Sequence, residues 1–276
     1  MTRRVGVAVV GLLVLLAVAV GGVVLLLESL DIRMPQSAHC TATVDGVTAA
    51  LDPDQAANAA MIAAVAEERG LPARAVTIAL ATAMQESELR NIDYGDRDSI
   101  GLFQQRPSQG WGTPEQIMDP IYSTNTFYDA LTRVGGYLDM EVTDAAQAVQ
   151  RSAFAQAYAQ HEDMARLFAS ALTGNSTAAL SCQSEREDPT VDLAVLLARD
   201  YPSVSLTQHA DGSQLQHAGD DQTRQWAVAH WAIATATLTG ISQVQVGDQV
   251  WVWDEDGTGA WSAAAQASPS GVVVVR

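Results

Sequence analysis

The sequence predicts a mainly α-helical domain and then a small C-terminal α+β domain, after one N-terminal transmembrane helix. Three observations lead to this fold class. Residues 5–27 form an uncharged run of Val, Leu, Ala and Gly. Ala-rich segments with helix-capping residues fill the chain between Cys40 and Cys182. After residue 190, short alternating runs typical of strands appear. The 276 residues suffice for about two domains.

The N-terminal apolar run is long enough to cross a membrane, because a helix rises 1.5 Å per residue and the hydrocarbon core is roughly 30 Å thick. Arg3 and Arg4 precede the run, and Glu28 follows it. The positive-inside tendency therefore exports the bulk of the chain. A cleaved signal peptide is the alternative, but its apolar region would span only about 7–15 residues. We expect a cytoplasmic tail, a single-pass membrane helix and a tether, at residues 1–4, 5–27 and 28–39.

The charge balance excludes one class of partner. The formal net charge is −17 and the isoelectric point is near 4.4. Nucleic acid binding depends on clustered Lys and Arg, which displace counterions from phosphates, so nucleic acid is not an expected partner. The sequence identifies no protein partner.

Two cysteines, Cys40 and Cys182, both lie on the predicted extracytoplasmic side, where thiols oxidise. We expect a disulfide that closes residues 40–182 into one domain. Two unrelated buried thiols are the alternative.

Helix signals dominate this first domain. Asp52-Pro53-Asp54-Gln55 provides an N-cap, a first-turn proline and a capping-box Gln, and Gly70 ends that helix. A second helix begins at Pro72, and Glu86 lies at the edge of its apolar stripe, near the helix end. Further helices are predicted at residues 121–139, 144–151 and 161–172.

The polar segment 183–190 contains a proline and is typical of a linker. The accessory domain, residues 191–276, follows it. Two strands there should form a hairpin that turns on Gly247-Asp248. Its predicted helices are residues 191–201 and 221–239, and its predicted strands are residues 204–208, 242–246, 249–253 and 271–276. Its many Trp residues predict either a core or a ligand surface.

Two motifs indicate a chemistry. Ala83-Met84-Gln85-Glu86-Ser87 is followed by Ser99-Ile100-Gly101-Leu102-Phe103-Gln104. The pair resembles the Glu-Ser helix end and the Ser-x-Gly-Leu-x-Gln segment of the soluble lytic transglycosylase and goose-type lysozyme superfamily. The longer string 95–112 resembles more narrowly the lysozyme-like domain of actinobacterial cell-surface proteins. The resemblance covers roughly residues 52–172, and it implies cleavage of peptidoglycan between MurNAc and GlcNAc.

Glu86 is the predicted catalytic residue. Cleaving a glycosidic bond requires a carboxylic acid that is still protonated near neutral pH, and a helix end that borders an apolar face favours that form. The resemblance implies that Glu86 also acts as the base later in the reaction. A plain surface glutamate at a helix end is the alternative.

The expected substrate contacts lie downstream of Glu86. Ser99, Gly101 and Gln104 are predicted to form the opposite wall of the cleft, or else a plain tight turn. Trp111 and Tyr158 are candidate platforms for sugar rings, or else core residues. Tyr158 ends a string that departs from the Ala-Tyr-Asn-Ala-Gly pattern of the transglycosylases.

A second carboxylate would decide the product. Asp93, Asp96 and Asp98 follow the helix, and any of them that held a water would make the enzyme a hydrolase. If none does, the resemblance implies a route through Glu86 alone, with a 1,6-anhydro product. The alternative roles of the three aspartates are Asx turns and loop caps.

Neither a cofactor nor a metal is expected, because His161-Glu162-Asp163-Met164-Ala165 lacks the second His of a zinc motif. Two other functions stay open. One is a peptidoglycan-binding scaffold without activity, and the other is a structural protein that acts through residues 191–276.

Overall fold

The computed structural model describes residues 38–152, 156–185, 188–210 and 212–276. Of the described residues, 42% are helical and 20% lie in strands, and the strands form two antiparallel sheets. The predicted mainly α-helical fold class is therefore wrong, because strands also frame the segment that we expected to be helical. The predicted transmembrane helix at residues 5–27 lies outside the described residues. Among the residues that are described, no helix is both long and apolar enough to span a membrane.

The helices are α1 (Pro53–Glu68), α2 (Ala73–Ser87), α3 (Pro114–Met118), α4 (Pro120–Leu131), α5 (Val142–Gln150), α6 (Glu162–Leu172), α7 (Leu193–Asp200), α8 (Gln222–Ala234) and α9 (Ala236–Thr239). The strands are β1 (His39–Val44), β2 (Val47–Leu51), β3 (Leu180–Gln183), β4 (Ser205–His209), β5 (Gly212–Gln216), β6 (Gln243–Val246), β7 (Gln249–Trp253), β8 (Gly259–Ala263) and β9 (Val272–Val275). Short 3-10 turns occupy Pro107–Gln109 and Ala159–His161.

The first sheet has the strand order β2-β1-β3 and brings the two cysteines together. Cys40 of β1 lies directly opposite Cys182 of β3, and the predicted disulfide joins them. Because it closes a loop across a separation of 142 residues, loop entropy alone stabilises the fold by about 5 kcal/mol. Strands β1 and β2 form a hairpin on Asp45-Gly46, both of which have positive φ, as a tight two-residue turn requires.

The two helices that open the domain form its centre. Helix α1 begins with the predicted capping box of Asp52 and Gln55 and has a proline in its first turn. Helix α2 packs along α6, and small Ala side chains on both helices allow the backbones to approach closely. Helix α1 packs against α2, α4 and α8. The end of α2, where Glu86 lies, is thus held by a rigid layer of helices.

The second sheet is larger than the sequence predicted. Its order is β4-β5-β9-β6-β7-β8, and β5 and β8 were not expected. The hairpin on Gly247-Asp248 is confirmed, since Val246 pairs with Gln249 across a two-residue turn. Helix α8 packs against this sheet and also against α1, α6 and β3.

Tryptophans of the second sheet bind the segment around β3. The indole N–H groups of Trp251, Trp253 and Trp261 donate to Ser181 Oγ (3.0 Å), Ser184 O (3.2 Å) and Leu180 O (2.8 Å). These rings therefore pack in the core, which was one of the two alternatives. Residues 38–276 form one compact unit. The boundary between a lysozyme-like domain and an accessory domain at residues 183–190 stays a prediction.

Candidate active site

Glu86 lies in the last turn of α2 and is half-buried. The chain reverses directly after it through two left-handed residues, Glu88 (φ 53°) and Leu89 (φ 56°). Such a conformation is unfavourable for residues other than glycine, so it needs support from the surroundings. Helix α1 supplies that support, because Gln55 Nε2 donates to Glu88 O (2.9 Å) and Asn58 Nδ2 donates to Leu89 O (2.8 Å). Glu86 therefore sits on a helix end that two side chains hold in place.

Tyr158 is the hydrogen-bond partner of Glu86. Its hydroxyl donates to Glu86 Oε1 at 2.7 Å, across 72 residues of sequence. The tyrosine is 1% exposed, and burial raises its pKa, so the hydroxyl keeps its proton and acts as the donor. Its ring faces are covered, in contrast to the open surface that a sugar platform needs. Glu86 Oε2 has no hydrogen-bond partner among the described residues.

The two sequence motifs meet at Ser87. Its hydroxyl donates to the carbonyl of Leu102 at 2.7 Å, which fixes the second motif against the end of α2. From the other side, Gln150 Nε2 of α5 donates to the carbonyl of Phe103 at 2.8 Å. The Phe103 ring stacks on Phe127 in the core, with centroids 4.4 Å apart. The loop beside Glu86 is therefore anchored from three directions.

The three residues predicted to form the wall of the cleft make most of their contacts within their own loop. Gly101 has φ +79°, and a Cβ there would lie 2.9 Å from Ile117 O, so packing on α3 already requires a glycine. Ser99 is 8% exposed, and its N–H donates to Asp96 O (3.0 Å). Gln104 Nε2 donates to Tyr94 O (3.2 Å) and to Gly101 O (3.3 Å). The backbone of this segment thus has the compact form of a tight turn.

The three candidate second carboxylates differ in their surroundings. Asp98 accepts hydrogen bonds at both oxygens, from Ser108 N (2.8 Å) and Arg106 Nε (2.7 Å). These hydrogen bonds, with those from Ser108 foremost, hold the pKa of Asp98 well below its usual range. Asp96 is exposed beside Arg97, and Asp93 is exposed as well. Asp98 is therefore a loop cap whose oxygens are already engaged.

Trp111 lies in a groove that does not include Glu86 among its lining residues. The groove has a volume of about 790 Å³ and runs along α4 and α5. Trp111 and Tyr122 contribute rings to it, and Arg133 and Arg151 contribute guanidinium groups. The structure thus brings Glu86 and Tyr158 together and places Trp111 in a groove that Glu86 does not line.

Sequence reasoning missed several neighbours of Glu86. Gln85 Oε1 accepts a hydrogen bond from Gln160 Nε2 (3.0 Å) and lies 3.0 Å from His161 Nε2, which ties the segment carrying Tyr158 to α2. Burial lowers the pKa of His161, which favours its neutral form. Tyr94 is 69% exposed in the loop after α2 and offers an open aromatic face.

No group of three or more His, Cys, Asp or Glu side chains within the described ranges is arranged to hold a metal ion. In comparisons with known proteins, no family model and no curated protein matches the chain.

Proposed function

We propose that the chain cleaves the glycan strands of peptidoglycan between MurNAc and GlcNAc, with Glu86 as the general acid and then the base. One observation carries the proposal: Tyr158 donates to Glu86 Oε1 at 2.7 Å, at a helix end that Ser87 joins to the second motif. The Tyr158 hydroxyl orients the half-buried carboxyl group, because it occupies one oxygen and leaves the other for the substrate.

The reaction begins with proton transfer from Glu86 to the glycosidic oxygen while the C1–O bond of MurNAc breaks. The carbonyl oxygen of the substrate's own N-acetyl group attacks C1 and forms a cyclic cation. The C6 hydroxyl then attacks C1, the N-acetyl group is released, and the Glu86 carboxylate takes the hydroxyl proton. Glu86 is thereby protonated again, and the product is a 1,6-anhydro sugar.

The surroundings of Asp98 favour this single-carboxylate route over hydrolysis. A hydrolase needs a second carboxylate that holds a water or attacks C1 at a defined separation from the acid. Asp98 already accepts hydrogen bonds from Arg106 and Ser108 at its two oxygens. We therefore propose a lytic transglycosylase rather than a lysozyme.

The disulfide between Cys40 and Cys182 supports an extracytoplasmic location, since such bonds persist in oxidising compartments. Peptidoglycan lies on that side of the membrane. An anchor at residues 5–27 would hold the enzyme beside its substrate, and that anchor stays a prediction.

Digestion of purified peptidoglycan with mass analysis of the released muropeptides tests the proposal. We expect 1,6-anhydro muropeptides. Reducing ends instead would establish a hydrolase and overturn the single-carboxylate route. Retention of the chain on peptidoglycan without any release would favour the scaffold that binds glycan strands without cutting them.

A further inference from the structure

The groove beside Trp111 has the size and lining of a ligand site. Its volume of about 790 Å³ falls in the range of small-molecule sites. Val134 and Val149 add apolar surface beside the Trp111 and Tyr122 rings, and Gln109 adds an amide. Such a mixture suits a ligand with both apolar and polar groups.

The arginines of this groove differ from most of the other arginines that the structure describes. The protein has no Lys, and its net charge is −17, so carboxylates that can pair with Arg are abundant. Eight arginines form ion pairs with Asp or Glu: Arg69, Arg74, Arg90, Arg97, Arg106, Arg166, Arg199 and Arg224. Arg133 and Arg151 form no ion pair within the described residues, and both line the groove.

The one carboxylate of the groove lining does not neutralise these two arginines. Asp129 lines the groove, but its Oδ1 accepts from Arg69 Nη2 at 2.7 Å. Two exposed guanidinium groups that pair with no carboxylate of the described ranges therefore share one concave surface. A guanidinium group binds a carboxylate through two parallel hydrogen bonds.

We propose that this groove binds an acidic peptide, with Arg133 and Arg151 on its carboxylates. The side-chain oxygen of Gln150 can accept from a peptide N–H, because its Nε2 is the atom that donates to Phe103. Trp111 and Val134 would cover aliphatic side chains of the peptide. This inference rests on the proposed function for its ligand: the stem peptide that MurNAc carries has free carboxylates and small aliphatic residues.

The overall charge argues for a short peptide over an anionic polymer. A phosphate-rich chain would extend beyond the groove onto a surface of a protein with net charge −17, where repulsion acts over about 8–10 Å at ordinary salt. A peptide with two or three carboxylates stays within reach of the two arginines. The groove therefore favours a compact anion with an apolar body.

Calorimetric titration of the full chain tests the site directly. The ligands are the stem tripeptide L-Ala-D-Glu-diaminopimelate, the same peptide with its carboxylates amidated, and inorganic phosphate. We expect binding of the acid peptide, with Arg133→Gln and Arg151→Gln each weakening it about 3- to 10-fold. Arg166→Gln removes an exposed, paired arginine of α6 and is the matched control, with unchanged affinity. Thermal melting of each variant verifies that it is folded.

Equal binding of the amidated peptide would overturn the inference, as would equal affinities of Arg133→Gln, Arg151→Gln and the control. Phosphate binding without peptide binding would overturn it too. A second assay separates this inference from the proposed function by comparing cleavage of strands with and without stem peptides. In the variant that carries both Arg133→Gln and Arg151→Gln, the preference for strands with stem peptides should fall about 10-fold. If the wild type cleaves neither substrate, the proposed function fails, whereas the titration still decides whether the groove binds peptide.

Discussion

Glu86 and Glu67 occupy comparable places in consecutive helices and have different surroundings. Each lies near the C-terminal end of its helix, α2 or α1, each is half-buried, and each has a buried tyrosine nearby. Tyr158 donates directly to Glu86. Tyr201, near Glu67, has a buried hydroxyl without a hydrogen-bond partner in the described structure. The carboxyl group of Glu67 makes no hydrogen bond or ion pair with the described residues, and only its backbone carbonyl accepts, from Gly70 N (3.0 Å).

Burial, partly opposed by Arg224 and assisted by Asp221 and Glu68, raises the pKa of Glu67 to about 7. A carboxyl group with such a pKa is often taken as a sign of an active site. Yet Glu67 lies near Asp221 and Arg224 at the start of α8, where α1 and α8 pack together. The shifted pKa of Glu67 therefore reports burial, whereas a directed hydrogen bond and an adjoining motif distinguish Glu86 as the candidate catalytic residue.

The largest expected effect is the difference in muropeptide release between substitutions of the two glutamates. Glu86→Gln removes the transferable proton and should lower muropeptide release about 1,000-fold, within the usual range for acid–base catalysis. Glu67→Gln makes the same chemical change in α1 and should leave release within about 2-fold. Muropeptide release under initial-rate conditions is the measurement. A Glu86→Gln variant that is folded and fully active would refute the assignment.

The tyrosine beside Glu86 should have the next largest effect. Tyr158→Phe removes a hydrogen bond to a carboxylate but keeps the ring, so kcat should fall about 10- to 100-fold. The KM should change little, because the buried hydroxyl contacts Glu86 rather than solvent. Steady-state kinetics on soluble glycan strands measure the effects on kcat and on KM separately. A loss of thermal stability with unchanged kcat would mean that Tyr158 only packs.

The pH dependence of stability should reveal Glu67. Because its folded pKa is raised from 4.5 to about 7, its contribution is fully present below about pH 4.5 and is lost as the pH rises through 7. Relative to the wild type, Glu67→Gln should therefore gain about 1–2 kcal/mol in free energy of unfolding between about pH 5 and 8, after allowance for solvent screening.

Urea unfolding at the two pH values measures this gain. It should persist at high salt, because burial rather than neighbouring charge is the main cause. The same difference between variant and wild type at both pH values would contradict the assignment.

The smallest expected effect concerns the other tyrosine. Tyr201→Phe removes a buried hydroxyl that has no partner within the described residues, so the protein should become about 1 kcal/mol more stable. Denaturant unfolding measures the change, and activity should stay the same. A loss of stability would show that the hydroxyl makes a hydrogen bond after all.

Local rules predicted several elements correctly. The capping box of Asp52 and Gln55, the hairpin on Gly247-Asp248 and the pairing of Cys40 with Cys182 are all present. Each depends on residues close in sequence or, for the disulfide, on there being only two cysteines.

The mainly α-helical expectation failed at one local hairpin and at one non-local strand pairing. Asp45-Gly46 is a strong hairpin signal, which the Ala-rich composition around it obscured. Strand β3 pairs with β1 across more than 130 residues, and no local pattern specifies that register. At the site, Glu86 and Ser87 could be located from their motif. The hydrogen bond from Tyr158 to Glu86 could not be predicted from the sequence, because it depends on how α6 and the segment before it pack against α2.

The disulfide between Cys40 and Cys182 also determines how the molecule would carry mechanical load. A pull on the chain before His39 enters at β1 and passes through the sulfur bridge into β3. From β3 it reaches the second sheet through the hydrogen bonds of Trp251 and Trp261. Residues 41–179 of the covalent loop are bypassed, so tension on the N-terminal side would leave the end of α2 unstretched, and Glu86 would keep its geometry under force.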